Sequence, residues 1–114
     1  MKITASSGDQ NTVLELDGNL TIGAADEAFS AAIERQLDAG RPVVVLDMEH
    51  VSLVDSTGLG SLVRSHHRCL QAGGGLRLAN LDFQVWELFQ AAKLTGVIPI
   101  FENLQLARKG EDET

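Results

Sequence analysis

The spacing of hydrophobic residues changes between positions 43 and 62, and this change predicts a strand followed by a helix. Val43–Leu46 is an uninterrupted apolar run that ends at Asp47. The run is rich in valine, which favours a central strand covered on both faces of a sheet. Further along, apolar residues recur at helical spacing, so we expect a helix to begin near Ser56. This helical set comprises Leu59, Leu62, Val63, His66, Cys69 and Leu70.

The chain before this stretch predicts a β-hairpin and one helix. Lys2–Ala5 and Thr12–Leu16 are candidate strands, and the residues between them favour a turn. Leu20–Ile22 is expected to form a short extended piece. From Ala24 to Leu37 the apolar residues follow an amphipathic helical pattern, and Gly40 would end that helix.

The helix predicted from Ser56 is followed by another strand and another helix. Three consecutive glycines, Gly73–Gly75, would stop the first helix near Gln71. Leu76–Ala79 then predicts a strand with one partly exposed face. Asp82 can cap a further helix that continues to about residue 92.

The last part of the chain predicts an edge strand and a short helical segment. Val97–Phe101 is apolar, but Pro99 cannot donate a ladder hydrogen bond, which places this strand at the edge of the sheet. Residues 103–107 are expected to form one or two helical turns. Residues 108–114 are charged and poor in apolar side chains, as is typical of a flexible tail. The pattern therefore predicts one α/β domain over residues 1–107.

Composition narrows the possible partners and the cellular compartment. A chain of 114 residues that is 44% hydrophobic can bury a single core. The net charge of −7 and a pI near 4.7 argue against nucleic acid or an anionic membrane as the main partner. Cys69 lies on the apolar helical stripe and has no second cysteine to pair with, which indicates a buried thiol in a reducing compartment. We find no signal peptide and no apolar run that could insert in a membrane, so we expect a soluble cytoplasmic protein.

The glycines after Ser56 invite a phosphate-binding interpretation, which the spacing does not support. Gly58 and Gly60 leave the backbone bare at a predicted helix start, so another molecule could approach closely. However, the segment lacks the glycine spacing and the lysine of a P-loop, and the dinucleotide fingerprint is also missing. A metal site is equally unexpected, because the adjacent His66 and His67 would point about 100° apart on a helix. We therefore expect no cofactor and no metal.

Ser56 could act as a nucleophile, cap the helix or be a site of modification. A hydrolase would need a partnered base, but the surrounding sequence is not G-x-S-x-G, and His50 is the only nearby histidine outside the helix. We therefore expect no catalytic residue. Asp55, Ser56 and Thr57 are sufficient to cap the helix by themselves. Two hydroxyls and a carboxylate beside two glycines also suit a modification site, and spacing alone leaves both interpretations open.

The segment Asp55–Gly60, D-S-T-G-L-G, carries a family resemblance. Following a hydrophobic strand that ends Leu46-Asp47, it resembles the signature of the STAS domain, and specifically that of bacterial anti-sigma factor antagonists. The order of elements agrees over nearly the whole chain. Three further segments are similar to features of this family: Gly18–Thr21, the early glycine turn; Gly73–Gly75, the helix stop; and Leu94–Val97, the pattern before the last strand.

The resemblance implies an α/β fold with a mixed β-sheet of four to five strands packed against three to four helices. It also implies a regulatory switch and not an enzyme. Such proteins bind a cytoplasmic anti-sigma factor that is also a serine kinase, and this binding frees a sigma factor. The kinase would phosphorylate the serine after the motif aspartate, here Ser56, and a serine phosphatase would reverse the reaction.

The implied partner surface combines the motif with the early turn. Its predicted residues are Asp55, Thr57, Gly58, Leu59, Gly60, Asn19 and Thr21. Asn19 and Thr21 depart from the family pattern, because acidic residues are frequent at these two positions.

Two other functions remain open at this stage. One is a STAS scaffold, such as the small subunit of a lipid-transport ATPase complex or a component of a stressosome-type assembly, which would use the same surface without a phosphate. The other is a small-ligand binder whose loop around Ser56 holds an anion.

Overall fold

Five strands form one mixed sheet in the order β1-β2-β3-β4-β5 in the computed structural model of the protein, which describes residues 1–110. The strands are β1 (Lys2–Ser7), β2 (Thr12–Asp17), β3 (Val43–His50), β4 (Gly75–Ala79) and β5 (Ile100–Phe101). The helices are α1 (Ala24–Asp38), α2 (Ser56–Gln71), α3 (Phe83–Ala91) and α4 (Leu104–Lys109). β1 and β2 pair as an antiparallel hairpin, and the remaining neighbours are parallel. The predicted α/β fold with a mixed sheet is therefore confirmed.

The central strand β3 is buried on both faces, as its apolar run predicts. Val44, Leu46 and Met48 point to one face because side chains alternate along a strand. Val45 points to the other face, where it packs with Ala107 of α4. The first face is covered by α1, α2 and α3, whose buried residues in the cluster include Phe29, Ile33, Leu62, Cys69, Val85 and Phe89.

Asp47 does not end β3, contrary to the prediction from the apolar run. The strand continues to His50, and Asp47 is only 9% exposed. Its Oδ1 accepts hydrogen bonds from Asn80 Nδ2 at 3.1 Å and from the Glu49 amide at 3.2 Å. Since a buried carboxylate is tolerated when it is hydrogen-bonded, a partner from the loop after β4 allows the strand to continue.

The last two strands of the sheet show one agreement with the predicted pattern and one difference. β4 buries Leu76 and Leu78 completely on one face and leaves Arg77 half-buried on the other, which agrees with the predicted, partly exposed face. β5 has only two residues and pairs with β4 alone, so its position at the edge is confirmed but its predicted length is wrong. Pro99 precedes β5 and contributes a carbonyl, which accepts a hydrogen bond from the Leu78 amide at 2.9 Å.

α4 continues past the predicted start of the tail. Asn103 caps its first turn through its side-chain oxygen. Arg108 and Lys109, assigned to the tail from the sequence, lie within this helix. Arg77 of β4 donates a hydrogen bond to the Arg108 carbonyl at 3.2 Å, which ties the helix end to the sheet. The end of the predicted tail, residues 111–114, lies outside the described residues.

Candidate functional site

Asp55 joins the start of α2 to the loop between β2 and α1. Its Oδ1 accepts a hydrogen bond from the Gly58 amide at 2.8 Å, and its Oδ2 accepts one from the Ile22 amide at 2.9 Å. The Gly58 bond, followed by the Ile22 bond, holds the pKa of Asp55 below its usual range. Asp55 is therefore the helix cap, as predicted, and it also fixes the loop that contains Ile22.

The early turn is bonded to the segment before Ser56 through its backbone. Leu20 forms a parallel bridge with Val54, and its amide donates to the Leu53 carbonyl at 3.0 Å. The Leu20 carbonyl accepts from the Asp55 amide at 3.2 Å, and Asn19 Oδ1 accepts from the Ser52 hydroxyl at 3.3 Å. The fold thus brings the early turn, with Asn19 and Thr21, beside the D-S-T-G-L-G motif.

Ser56 is exposed and is the first residue of α2. Asp55 occupies the capping position before it, so Ser56 is not needed as a cap. Among the side chains of residues 1–110, the Ser56 hydroxyl has no hydrogen-bond partner. Thr57, the neighbouring hydroxyl residue, is half-buried. The arrangement leaves the Ser56 hydroxyl chemically accessible without a structural role.

The two motif glycines have different surroundings. Gly58 is buried, and a β-carbon there would lie 2.2 Å from the Leu20 carbonyl oxygen. The expectation that Gly58 bares its backbone to another molecule is therefore wrong, because the early turn already occupies that space. Gly60 is half-buried, and a β-carbon there would meet only the flexible side chain of Arg64, at 3.1 Å.

Two large apolar side chains beside the motif are exposed and were missed by sequence reasoning. Ile22 is 74% exposed and Leu53 is 53% exposed. Ile22 directly follows the early turn, and the Leu53 carbonyl is bonded to the Leu20 amide of that turn, so both adjoin it. Exposed apolar area is typical of contact surfaces. Ile22 could have been noticed as an apolar residue between a predicted strand and a predicted helix. No comparable signal marks Leu53, since it lies within an apolar segment whose other members, Val51 and Val54, are buried in the structure.

Farther along α2, the side chains follow the predicted helical stripe. His66 is buried and His67 is exposed, as expected for adjacent helical residues that point about 100° apart with His66 in the apolar set. The His66 Nδ1 accepts a hydrogen bond from the Leu76 amide at 3.0 Å, and burial lowers the pKa of His66. Cys69 is buried, and burial raises the pKa of its thiol. Leu70 shares the apolar spacing but is largely exposed, because it lies at the border of the stripe.

Other features of the described residues lie away from Ser56 or provide no site. An open cavity of about 590 Å³ lies between the β1–β2 turn and α4, near the start of β2, with Asn11 and Arg108 in its lining. Within residues 1–110 no group of three or more histidine, cysteine, aspartate or glutamate side chains could hold a metal ion. No helix of this part of the chain has the length and apolar character needed to cross a membrane.

Solved structures share this fold. One is a Thermotoga maritima protein proposed to be an anti-sigma factor antagonist, with a TM-score of 0.87, 19% identity and coverage of 95% of this chain and 92% of that chain. Another is the phosphorylated form of SpoIIAA from Bacillus, with a TM-score of 0.72, 19% identity and coverage of 96% and 100%.

A third similar structure is the murine anion transporter named solute carrier 26 family member A9. Its TM-score is 0.77 at 19% identity, over 92% of this chain but only 18% of the transporter chain. At identities this low, these similarities establish the fold alone.

Sequence comparisons establish the family. No curated protein sequence matched the chain. The STAS domain profile, in contrast, matches residues 2–107, which is nearly the whole chain. The resemblance in the D-S-T-G-L-G motif is thereby confirmed, and the chain belongs to the STAS domain family.

Proposed function

We propose that this protein is a cytoplasmic anti-sigma factor antagonist that is switched off by phosphorylation of Ser56. The observation that carries the proposal is the exposed, unbonded Ser56 hydroxyl at the start of α2. The similarity in fold to SpoIIAA, an anti-sigma factor antagonist solved in unphosphorylated and phosphorylated forms, supports this function.

Phosphorylation at Ser56 is compatible with the fold. Because Asp55 caps α2, modification of Ser56 removes no capping bond. The positive end of the helix dipole also favours a negative group in the first turn. A phosphate adds about −1.5 to −2 charges at neutral pH. We therefore expect the modified protein to remain folded while its surface changes strongly in charge.

The surface around Ser56 suits a protein partner. Ile22 and Leu53 provide exposed apolar area next to the early turn. Thr57, Leu59, Gly60, Asn19 and Thr21 complete the proposed contact surface. Gly58 supports this surface from beneath and does not contact the partner through its α-carbon, because Leu20 covers it.

In this proposal, phosphorylation of Ser56 weakens the binding of the partner. A partner docked on Ile22 and Leu53 excludes water, so a phosphate at Ser56 would lose part of its hydration at the interface. A coupling of about 1–3 kcal/mol, or about 5- to 150-fold in affinity, is the usual scale for such a switch. In this proposal the partner is an anti-sigma factor serine kinase, and a serine phosphatase restores the binding form. The protein itself is a substrate and not an enzyme.

Phosphorylation by a candidate anti-sigma factor kinase tests the proposal. With ATP, mass spectrometry should find one phosphate on Ser56 and none on Thr57. Thr57→Ala is the matched control and should still be labelled, whereas Ser56→Ala should not.

Binding of the same kinase, measured by calorimetry, tests the switch. Ser56→Ala should bind as the unmodified protein does, since it adds no charge. Ser56→Glu should fold and bind weakly. Phosphate only on Thr57, or undiminished binding of Ser56→Glu, would contradict the switch and favour the STAS scaffold, which needs no phosphate.

A further inference from the structure

The guanidinium of Arg64 is held over Gly60 on the surface of α2. Its Nη1 lies 3.1 Å from the position that a β-carbon would take at Gly60. Its Nη2 donates a hydrogen bond to the Ser61 hydroxyl at 3.1 Å. Ser61 is buried, and its hydroxyl donates in turn to Asp26 of α1. The guanidinium is therefore positioned by a partly buried network, with Ser61 buried and Asp26 half-buried, although Arg64 itself is exposed.

Gly60 makes this position possible. Glycine within a helix lowers helix stability relative to alanine, so helix formation alone does not account for it. Any β-carbon at Gly60 would press on the Arg64 guanidinium at 3.1 Å. The absence of a side chain at Gly60 leaves a shallow path along the helix surface, from Arg64 toward the first turn.

Ser56 lies at the other end of this path. Ser56, Gly60 and Arg64 follow one another at intervals of four residues in α2, so they share one face of the helix. The β-carbon positions of Ser56 and Gly60 are about 5–6 Å apart in such a helix. A phosphoryl group on Ser56 spans much of that gap, which allows its oxygens to meet the guanidinium above Gly60.

The positive charge of Arg64 is available for such a contact. Within residues 1–110, a salt bridge joins Arg68 Nη2 to Glu34 Oε2 at 2.6 Å, and Arg64 takes no part in it. Asp26 reaches Arg64 only through the Ser61 hydroxyl. The Asp55 carboxylate faces the amides of Gly58 and Ile22 instead.

We propose that Arg64 is an intramolecular receptor for a phosphate on Ser56, with Gly60 as the gap across which the two groups meet. This proposal rests on the proposed function, in that it gives the phosphorylated state a defined structure. Arginine pairs with phosphate through two parallel hydrogen bonds, which a flexible lysine cannot reproduce. The ion pair would cover Gly60 and the adjacent first turn of α2, and so remove that area from the partner surface.

Phosphoserine placed at position 56 by genetic encoding tests the contact without any kinase. The measurement is the pH titration of the phosphate by ³¹P NMR in the full chain. In Arg64→Gln the midpoint should be higher than in the parent by about half a pH unit, the size expected for a solvent-exposed ion pair. Arg68→Gln is the matched control, because it removes the same charge one helical turn later and should leave the midpoint nearly unchanged.

Salt provides a second readout that needs no variant. A phosphoserine peptide in the same buffers supplies the reference. If the phosphate is paired with Arg64, salt should raise the midpoint relative to the peptide, because screening weakens an attraction. If the phosphate is influenced mainly by repulsion from the net charge of −7, salt should lower the midpoint relative to the peptide, because screening weakens that repulsion.

Equal midpoints in Arg64→Gln and Arg68→Gln would overturn the proposal, as would a salt-induced decrease relative to the peptide. Thermal melts of the unmodified variants verify that each is folded. A kinase that fails to modify Ser56 would count against the proposed function but would not affect these titrations. The two hypotheses can therefore fail separately.

Discussion

Replacement of Gly58 by alanine should destabilise the fold even though alanine is the better helix former. Gly58 lies in the first turn of α2, where the helix passes against the early turn. A β-carbon at this position would lie 2.2 Å from the Leu20 carbonyl oxygen and 3.0 Å from its carbonyl carbon. Both contacts involve backbone, which cannot rotate away as the end of a side chain can.

The size of this loss of stability depends on how far the Leu20 carbonyl must shift to make room for the added β-carbon. The Leu20 carbonyl would have to retreat by roughly 1 Å or more to reach an ordinary contact distance. It accepts the Asp55 amide hydrogen bond at 3.2 Å, so this bond would be strained or lost. Overpacking costs about 1–3 kcal/mol and a lost hydrogen bond about 0.5–1.5 kcal/mol, against a helix-propensity gain of about 1 kcal/mol. We expect a net loss of about 1–3 kcal/mol.

Urea denaturation followed by circular dichroism measures this loss. Gly60→Ala is the matched control, since it makes the same chemical change one turn later in α2 and meets only the movable Arg64 side chain. Gly60→Ala should be neutral or stabilising by up to about 1 kcal/mol. If Gly58→Ala proved as stable as Gly60→Ala, the role of Gly58 in packing against Leu20 would be refuted.

Two further measurements test the core and the buried histidine. Leu62→Ala should lower the free energy of unfolding by about 2–5 kcal/mol because Leu62 is completely buried. The control Leu62→Met, which nearly conserves the volume, should lower it by less than about 1.5 kcal/mol. A change below about half a kcal/mol for Leu62→Ala would contradict the placement of Leu62 in the core. Protonation of His66 would place an N–H against the Leu76 amide N–H, and burial lowers the pKa of His66 in the folded state. The unfolded chain therefore binds this proton more readily than the folded protein does. The free energy of unfolding should be at its full value above about pH 6.5 and should decrease as the pH falls below that value. Urea melts between pH 7.5 and 5.5 should show this slope in the parent and in His67→Gln but not in His66→Gln, and a slope retained in His66→Gln would exclude His66 as its source.

Local sequence patterns were enough to locate the helices and the motif. α2 begins at Ser56 and ends at Gln71, as predicted, because its apolar spacing, its capping aspartate and the glycines after it are all local signals. The cap at Asp82 and the edge position of β5 also followed from the chemistry of single residues. The family resemblance depended on such local signals as well, since the motif is contiguous.

Contacts between distant segments were decided only by the tertiary structure. Asp47 remains within β3 because Asn80 reaches its carboxylate, and Gly58 is covered because the early turn folds back onto α2. Neither contact leaves a trace in the spacing of nearby residues. The placement of Arg64 over Gly60 likewise depends on Asp26, which belongs to another helix. Periodicity reports which face of an element is apolar, whereas the identity of the segment that covers that face is set by how the elements pack.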